Sequence, residues 1–158
     1  MRMVDVDYKM MKNAGFRMVL FGLESANQET LDKIQKGTRV EDVKYIIKAS
    51  EAGLEPHVAA MVGYPWETKK DCLRTIDLIK HLLIKGYAKT AQISFYTPPP
   101  DQEQGNEHNK RYMKGIYYVC FYPEFWYHKI VDIRSMADIK YLMRSITEGI
   151  GGIWAGKN

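Results

Sequence analysis

The sequence predicts an α/β protein built on a parallel sheet, and three observations carry that prediction. Three short segments read as strands, residues 17–23 (RMVLFGL), 57–63 (HVAAMVG) and 91–97 (AQISFYT). The first two are nearly continuous apolar runs rather than alternating ones, the pattern of strands covered on both faces. Their starts at 17, 57 and 91 lie 40 and 34 residues apart, which leaves room in each interval for the crossover helix of a βαβ unit, about 30 residues or more.

The helices follow in order. Ahead of the first strand, Tyr8, Met11 and Ala14 fall at helical spacing and Gly15 closes the segment. After that strand, Asn27 stands where a cap would for a short helix carrying Leu31 and Ile34 and stopping at Gly37. Thr38 and Glu41 then have the Ser/Thr-x-x-Glu spacing of a capping box, and Val43, Ile46, Ile47 and Ser50 follow at i, i+3, i+4 and i+7 before Gly53. Thr68 and Asp71 repeat the cap spacing ahead of a third helix, with Cys72, Ile76, Ile79 and Leu83 on one face and Gly86 at its end. Residues 98–110 (PPPDQEQGNEHNK) are polar and Pro-rich, a loop or linker. Residues 111–127 are crowded with aromatics and broken by Pro123. Residues 135–148 read as a final helix with Ile139, Leu142, Met143 and Ile146 inward, ended by Gly149, Gly151 and Gly152.

Composition narrows the function classes. At 158 residues the chain has the length of one domain, and no run approaches the roughly 18 apolar residues of a membrane span. Acidic residues in the opening MRMVDVDY stand where a secretory signal would be apolar, so the expected location is cytoplasmic. Cys72 and Cys120, 48 positions apart, are then expected as free thiols, with Cys72 in a helix core. The net charge of +4 is spread along the chain, which argues against a nucleic-acid partner. The aromatic segment lacks regularly interleaved Arg and Lys and reads as packing against a neighbouring domain rather than as a base-stacking surface. His57, His81, His108 and His128 have no Cys or carboxylate at metal-ligand spacing, so no metal site is expected within this chain.

In parallel α/β structures, ligands bind at the carboxyl ends of the strands. The segments to weigh are therefore Gly22-Leu23-Glu24-Ser25-Ala26, Gly63-Tyr64-Pro65-Trp66-Glu67-Thr68 and Tyr96-Thr97-Pro98-Pro99-Pro100. Glu24 with Ser25 could hold a sugar diol or an ammonium group; equally, Ser25 could cap the next helix while Glu24 makes an ion pair. Gly63 suggests close approach of a ligand to the backbone, or a simple turn. Glu67 and Thr68 could be no more than a first-turn acid and a cap.

Taken together, these strand ends resemble the fourth, fifth and sixth strands of the radical S-adenosylmethionine (radical SAM) superfamily. Residues 15–25 (GFRMVLFGLES) are similar to the family's glycine, apolar run and Gly-Ile-Glu-Ser-Gly, and residues 31–37 (LDKIQKG) to the helix that follows. Residues 61–68 (MVGYPWET) resemble Ile-x-Gly-Leu-Pro-Gly-Glu-Thr, and residues 97–100 (TPPP) the start of Thr-Pro-Tyr-Pro-Gly-Thr. Ala26, Trp66 and Asp101-Gln102 depart from the pattern at positions that bear on substrate fit.

The resemblance implies a segment of a partial (βα)6 TIM-like barrel, with helices on one face of the sheet. Residues 1–102 would be the C-terminal part of the barrel, and residues 103–158 a linker and aromatic-rich helical extension of the kind that follows the barrel in cobalamin-binding members. It implies S-adenosylmethionine as cofactor, with Glu24 and Ser25 at its ribose or amino acid portion, Met61 and Gly63 against the adenine, and backbone groups of Tyr96 and Thr97 toward the exocyclic amine. Glu67 would orient its loop. In the family, SAM is cleaved at a [4Fe-4S] cluster to give a 5′-deoxyadenosyl radical that abstracts a substrate hydrogen. The Cys-x-x-x-Cys-x-x-Cys that holds this cluster is not in the sequence, so the expected partner is a cluster-bearing N-terminal barrel half, and the chain alone should be inactive. A catalytically inactive scaffold and a fragment of an RNA methylthiotransferase are the alternatives.

Overall fold

The computed structural model describes residues 6–96, 122–131, 133 and 135–154. Helix α1 (Tyr8–Asn13) leads into β1 (Met18–Glu24), followed by α2 (Gln28–Lys33), a 3-10 turn (Val40–Asp42) running into α3 (Val43–Glu51), β2 (Glu55–Val62), α4 (Lys69–Ile84) and β3 (Thr90–Phe95). Two further helices, α5 (Pro123–Val131) and α6 (Met136–Trp154), complete the described chain. The strands form one sheet in the order β1-β2-β3, parallel throughout, so the chain is α/β with the topology of a barrel-wall segment.

Register divides the sheet into two unlike faces. Leu20 pairs with His57, and His57 with Thr90, so these share one face; Phe21, Val58 and Ala91 share the other. On the second face Phe21, Leu23, Val58 and Ala60 are buried against Tyr8, Ile46, Ala49, Ile79, Leu82 and Leu83 of α1, α3 and α4. On the first, Met18 and Leu20 are 53% and 65% exposed. The helices thus pack on one face of the sheet, as the resemblance to a barrel segment implies. Burial alternates along β2 because the helices pack on one side only.

Two start signals behave differently. Thr68 caps α4 as its spacing predicts: its hydroxyl accepts from the Asp71 N–H (3.3 Å), and Asp71 Oδ2 accepts from the Thr68 N–H (2.9 Å). The Thr38–Glu41 box does not form. The 3-10 turn starts later, so Asp42 Oδ2 accepts from the Arg39 N–H (2.8 Å), while Thr38 Oγ1 is buried without a partner. Pro123 opens a helix rather than breaking one, since the first helical position needs no N–H donor. Helix α6 runs through Gly149, Gly151 and Gly152 to Trp154, because glycine in a helix costs about 1 kcal/mol against alanine without blocking it sterically. Ile139 and Met143 of α6, expected inward, are exposed. The expected 98–110 loop, the aromatic residues 111–121, Cys120 and Thr97 lie outside the described residues.

Candidate functional site

At the carboxyl end of β1 the pairing slips between Gly22 and Glu24, and Glu24 takes a left-handed backbone (φ 59°), a conformation uncommon for a residue with a side chain. Its carboxylate folds back over Gly22, where a Cβ would stand 2.9 Å from Glu24 Oε1. Lys36, from the turn after α2, reaches the same oxygen with Nζ at 2.7 Å. The lysine is about half exposed, so the pair forms a carboxylate and an ammonium side by side at an open strand end.

Ser25 points the other way. It is fully buried, and its hydroxyl donates to Glu67 Oε1 (3.3 Å) and accepts from the N–H (3.1 Å) and Nδ2 (3.2 Å) of Asn27, with Thr75 Oγ1 also at 3.3 Å. Asn27 precedes α2 but makes no side-chain cap there. Its amide donates to the Asp71 carbonyl (3.0 Å), and its oxygen accepts from Arg74 (2.6 Å).

Glu67 ties this cluster to the end of β2. The carboxylate is 5% exposed. One oxygen accepts from the N–H groups of Gly63 (2.9 Å) and Tyr64 (3.3 Å), the other from the hydroxyls of Thr30 (3.0 Å) and Ser25. A buried carboxylate is tolerated when its lone pairs are filled in this way. Cys72 Sγ lies 3.8 Å from it, and burial first, then the Glu67 charge, pushes the thiol up to about 11, so Cys72 is an inert core thiol.

Gly63 has φ 85°, which gives glycine a backbone reason for this position whether or not a ligand approaches. Beyond it, Tyr64 stacks on Trp66 (ring centroids 5.1 Å apart, 13° between planes) and leans on Tyr96 (5.1 Å), joining the ends of β2 and β3. Burial, then the charges of Glu24, Glu67 and Tyr96, raise the Tyr64 phenol above its usual range. Trp66 is 39% exposed, with Lys33 Nζ 5.5 Å over its ring. Met61 lies on the open face of the sheet, in register with Ser94. The Tyr96 N–H donates to the Val62 carbonyl (3.0 Å), extending the ladder by one bond.

The structure thus brings Glu24, Ser25, Met61, Gly63 and Tyr96 to one end of one sheet. Lys36, Thr30 and Thr75 are the members that sequence reasoning missed. The first two lie within the 31–37 segment or beside it but show no periodic signal, and Thr75 is a hydroxyl on the apolar face of α4 whose partners are long-range.

Residues 2–79 match the model of the radical SAM superfamily. The chain belongs to that superfamily. An uncharacterized methyltransferase of Pyrococcus horikoshii is 34% identical over 93 residues, which are 58% of this chain and 19% of that protein, so the chain aligns with about a fifth of its relative. The radical SAM match covers the β1 and β2 ends, with Glu24, Ser25, Met61, Gly63 and Glu67 inside it, and stops before Tyr96.

Radical SAM proteins use SAM and a [4Fe-4S] cluster, and the two groups fare differently against these residues. The Glu24–Lys36 pair matches the two charges of an amino acid group such as SAM carries. A cluster does not fit: the sequence has two cysteines where three thiolates are needed, and Cys72 is buried and protonated. Among the described residues no three His, Cys, Asp or Glu side chains gather as a metal site, and no helix is long and apolar enough to cross a membrane.

Proposed function

We propose that this chain is the SAM-binding and substrate-shaping part of a radical SAM enzyme whose cluster ligands lie in another polypeptide segment. The observation that carries the proposal is the Glu24–Lys36 pair held over Gly22 at the strand end. In this reading Glu24 takes the ammonium or ribose hydroxyls of SAM and Lys36 its carboxylate. Met61 packs on the adenine, Gly63 lets it approach the backbone, and the carbonyls of Tyr96 and Thr97 accept from its exocyclic amine. Ser25 serves from beneath, because its hydroxyl is already engaged with Glu67 and Asn27. Bound SAM supplies the family's radical chemistry; this chain binds and orients. Residues 1–102 form the barrel part of a cytoplasmic protein and residues 103–158 the extension.

The test is SAM binding in a polypeptide that joins this segment to a Cys-x-x-x-Cys-x-x-Cys segment. Glu24→Ala and Lys36→Met should each weaken binding by about 1 to 3 kcal/mol, the scale of a hydrogen bond to a charged group, with cluster content unchanged. Met61→Leu should be nearly silent. Gly63→Val is a poor probe, since φ 85° strains any side chain there. Parent-like affinity in both charge variants rejects the assignment. The chain alone should hold no cluster and leave SAM intact.

The name of the Pyrococcus horikoshii relative supports a second reading, methyl transfer, and the cobalamin expectation attaches to it. Transfer of label from methyl-labelled SAM to a product would favour it.

A further inference from the structure

We infer that the phenol of Tyr64 is a ligand-binding group of the strand-end site, donating its O–H to a ribose hydroxyl of SAM that in turn donates to Glu24. This contact presupposes the SAM reading above and selects the ribose from the two SAM groups assigned there to Glu24. It begins at two nearby positions. Where the superfamily pattern Ile-x-Gly-Leu-Pro-Gly-Glu-Thr has leucine and its second glycine, this chain has Tyr64 and Trp66, so what they build is not part of that pattern.

The two residues fix one another. Tyr64 is 6% exposed, its ring packed on Trp66 (5.1 Å, 13° between planes) and on Tyr96 (5.1 Å). Trp66 is tied in turn to α2, where its indole N–H donates to Thr30 Oγ1 (3.4 Å) and Lys33 Nζ stands 5.5 Å from the ring centroid. The Tyr64 N–H donates to Glu67 (3.3 Å), and Pro65 restricts the backbone of the residue before it. A tyrosine held at its ring and its backbone keeps one freedom, the rotation of its O–H.

That hydroxyl is unused. It makes no hydrogen bond among the described residues, and it is not enclosed as the unpartnered hydroxyls of Tyr8 and Thr38 are. A polar atom on so buried a side chain ordinarily has a partner, and here the open side is where one can come from. The charges acting on the phenol give its direction. After burial, the foremost is that of Glu24, ahead of Glu67, although Glu67 accepts from the Tyr64 N–H. The phenol therefore points away from the buried cluster and toward the open end of β1, where Glu24 and Lys36 stand over Gly22.

Burial and the Glu24 carboxylate both keep the phenol protonated, so the site presents a donor beside an acceptor. A hydroxyl group satisfies the two together, giving its proton to the carboxylate and accepting from the phenol. An ammonium has donors only and leaves the Tyr64 O–H without an acceptor, and a carboxylate is repelled by Glu24. The ribose of SAM, which joins the amino acid portion to the adenine, carries hydroxyls at both 2′ and 3′. Tyr64 has the matching place, reaching toward the Glu24–Lys36 pair while its ring leans on Tyr96, the residue assigned to the adenine amine.

The experiment is equilibrium dialysis without reductant, in the polypeptide that joins this chain to the cluster-bearing segment, with SAM and its 2′-deoxy and 3′-deoxy analogues as probes. Tyr64→Phe keeps the ring stack and removes only the O–H. It should weaken SAM binding about fivefold to tenfold, the scale of one neutral hydrogen bond, and one of the two deoxy analogues should bind parent and variant alike. The urea midpoint of the variant should equal or exceed that of the parent, because the hydroxyl holds nothing within the protein. Unchanged SAM affinity in Tyr64→Phe, with Glu24→Ala weakened, overturns the Tyr64 contact and leaves the SAM reading standing. Unchanged affinity in both variants removes that reading and this contact with it. A loss in Tyr64→Phe that persists equally with both analogues also overturns it, since the phenol then meets no ribose hydroxyl, and so does a lowered urea midpoint, which makes the phenol a structural group.

Discussion

Replacing Glu67 with alanine should be among the most damaging single substitutions in this protein. The carboxylate takes two backbone N–H groups from the end of β2 and two hydroxyls from the end of β1 and α2, all in a buried setting. After truncation the Ser25 hydroxyl can turn to Thr75, 3.3 Å away. The Gly63 and Tyr64 N–H groups lose the acceptor they share, at about 1 to 3 kcal/mol for each buried donor left unsatisfied. The expected loss is about 4 kcal/mol, a large share of a typical stability of about 5 to 15 kcal/mol. Glu67→Gln separates hydrogen bonding from charge. Its carbonyl still accepts from the two N–H groups, and its amide can donate to Thr30, whose oxygen accepts as well as donates, while the Ser25 hydroxyl, already accepting twice from Asn27, turns its O–H to Thr75. That variant should lose only about 1 kcal/mol. Urea unfolding measures both, with the slope m checking that the unfolded state is unchanged. An alanine variant within about 1 kcal/mol of the parent at equal m, or a glutamine variant as unstable as the alanine one, refutes the reasoning.

Three further outcomes are expected. Glu24→Gly should leave stability within about 1 kcal/mol of the parent in thermal unfolding, because relief of the left-handed backbone offsets loss of a partly exposed ion pair. Gly22→Ala should also fold, since its Cβ meets only the flexible ends of Glu24 and Lys36, yet it should push the carboxylate off Lys36 and impair SAM binding as Glu24→Ala does. Cys72 gives a pH dependence. Its folded thiol sits at about 11, above the 9.0 of an unperturbed thiol, so its contribution is complete below pH 9 and is lost as pH rises toward 11. Tyr8 and Tyr64, also raised, act in the same direction. Stability should fall across this range, and Cys72→Ala should flatten the first part of the fall, read by urea midpoints at successive pH values.

The strands, their parallel order and the α4 cap were legible because each rests on local signals: apolar runs, βα spacing and a Thr-x-x-Asp box. The resemblance, rather than the apolar runs, placed the helices on one face, since an apolar side chain at Met18 or Leu20 reads the same whether or not anything covers it. The α6 terminus was misplaced for the converse reason: three glycines lower helix propensity, and propensity yields to context. At the site, the strand ends pointed to Glu24, Ser25 and Gly63 from position alone. They could not tell that neighbouring residues would face opposite ways, Glu24 outward to Lys36 and Ser25 down to Glu67. That split follows from one left-handed residue in the chain. Glu67, read as an orienting residue, does hold the loop, through N–H groups three and four positions before it.

The shared carboxylate has a practical consequence for anyone redesigning this protein. Loops at the mouth of α/β folds are commonly treated as interchangeable parts, swapped one at a time to change specificity. Here the loop after β1 and the loop after β2 close around a single anion, so a graft of either alone strands donors or deprives the anion of them. The transplantable unit is the two loops together with Thr30 of α2 and Thr75 of α4, a four-part cassette drawn from across 51 residues of chain, positions 25 to 75. Trp66, whose indole N–H donates to Thr30 Oγ1 (3.4 Å), and Lys36, which holds Glu24, form its rim, so a graft should carry them along.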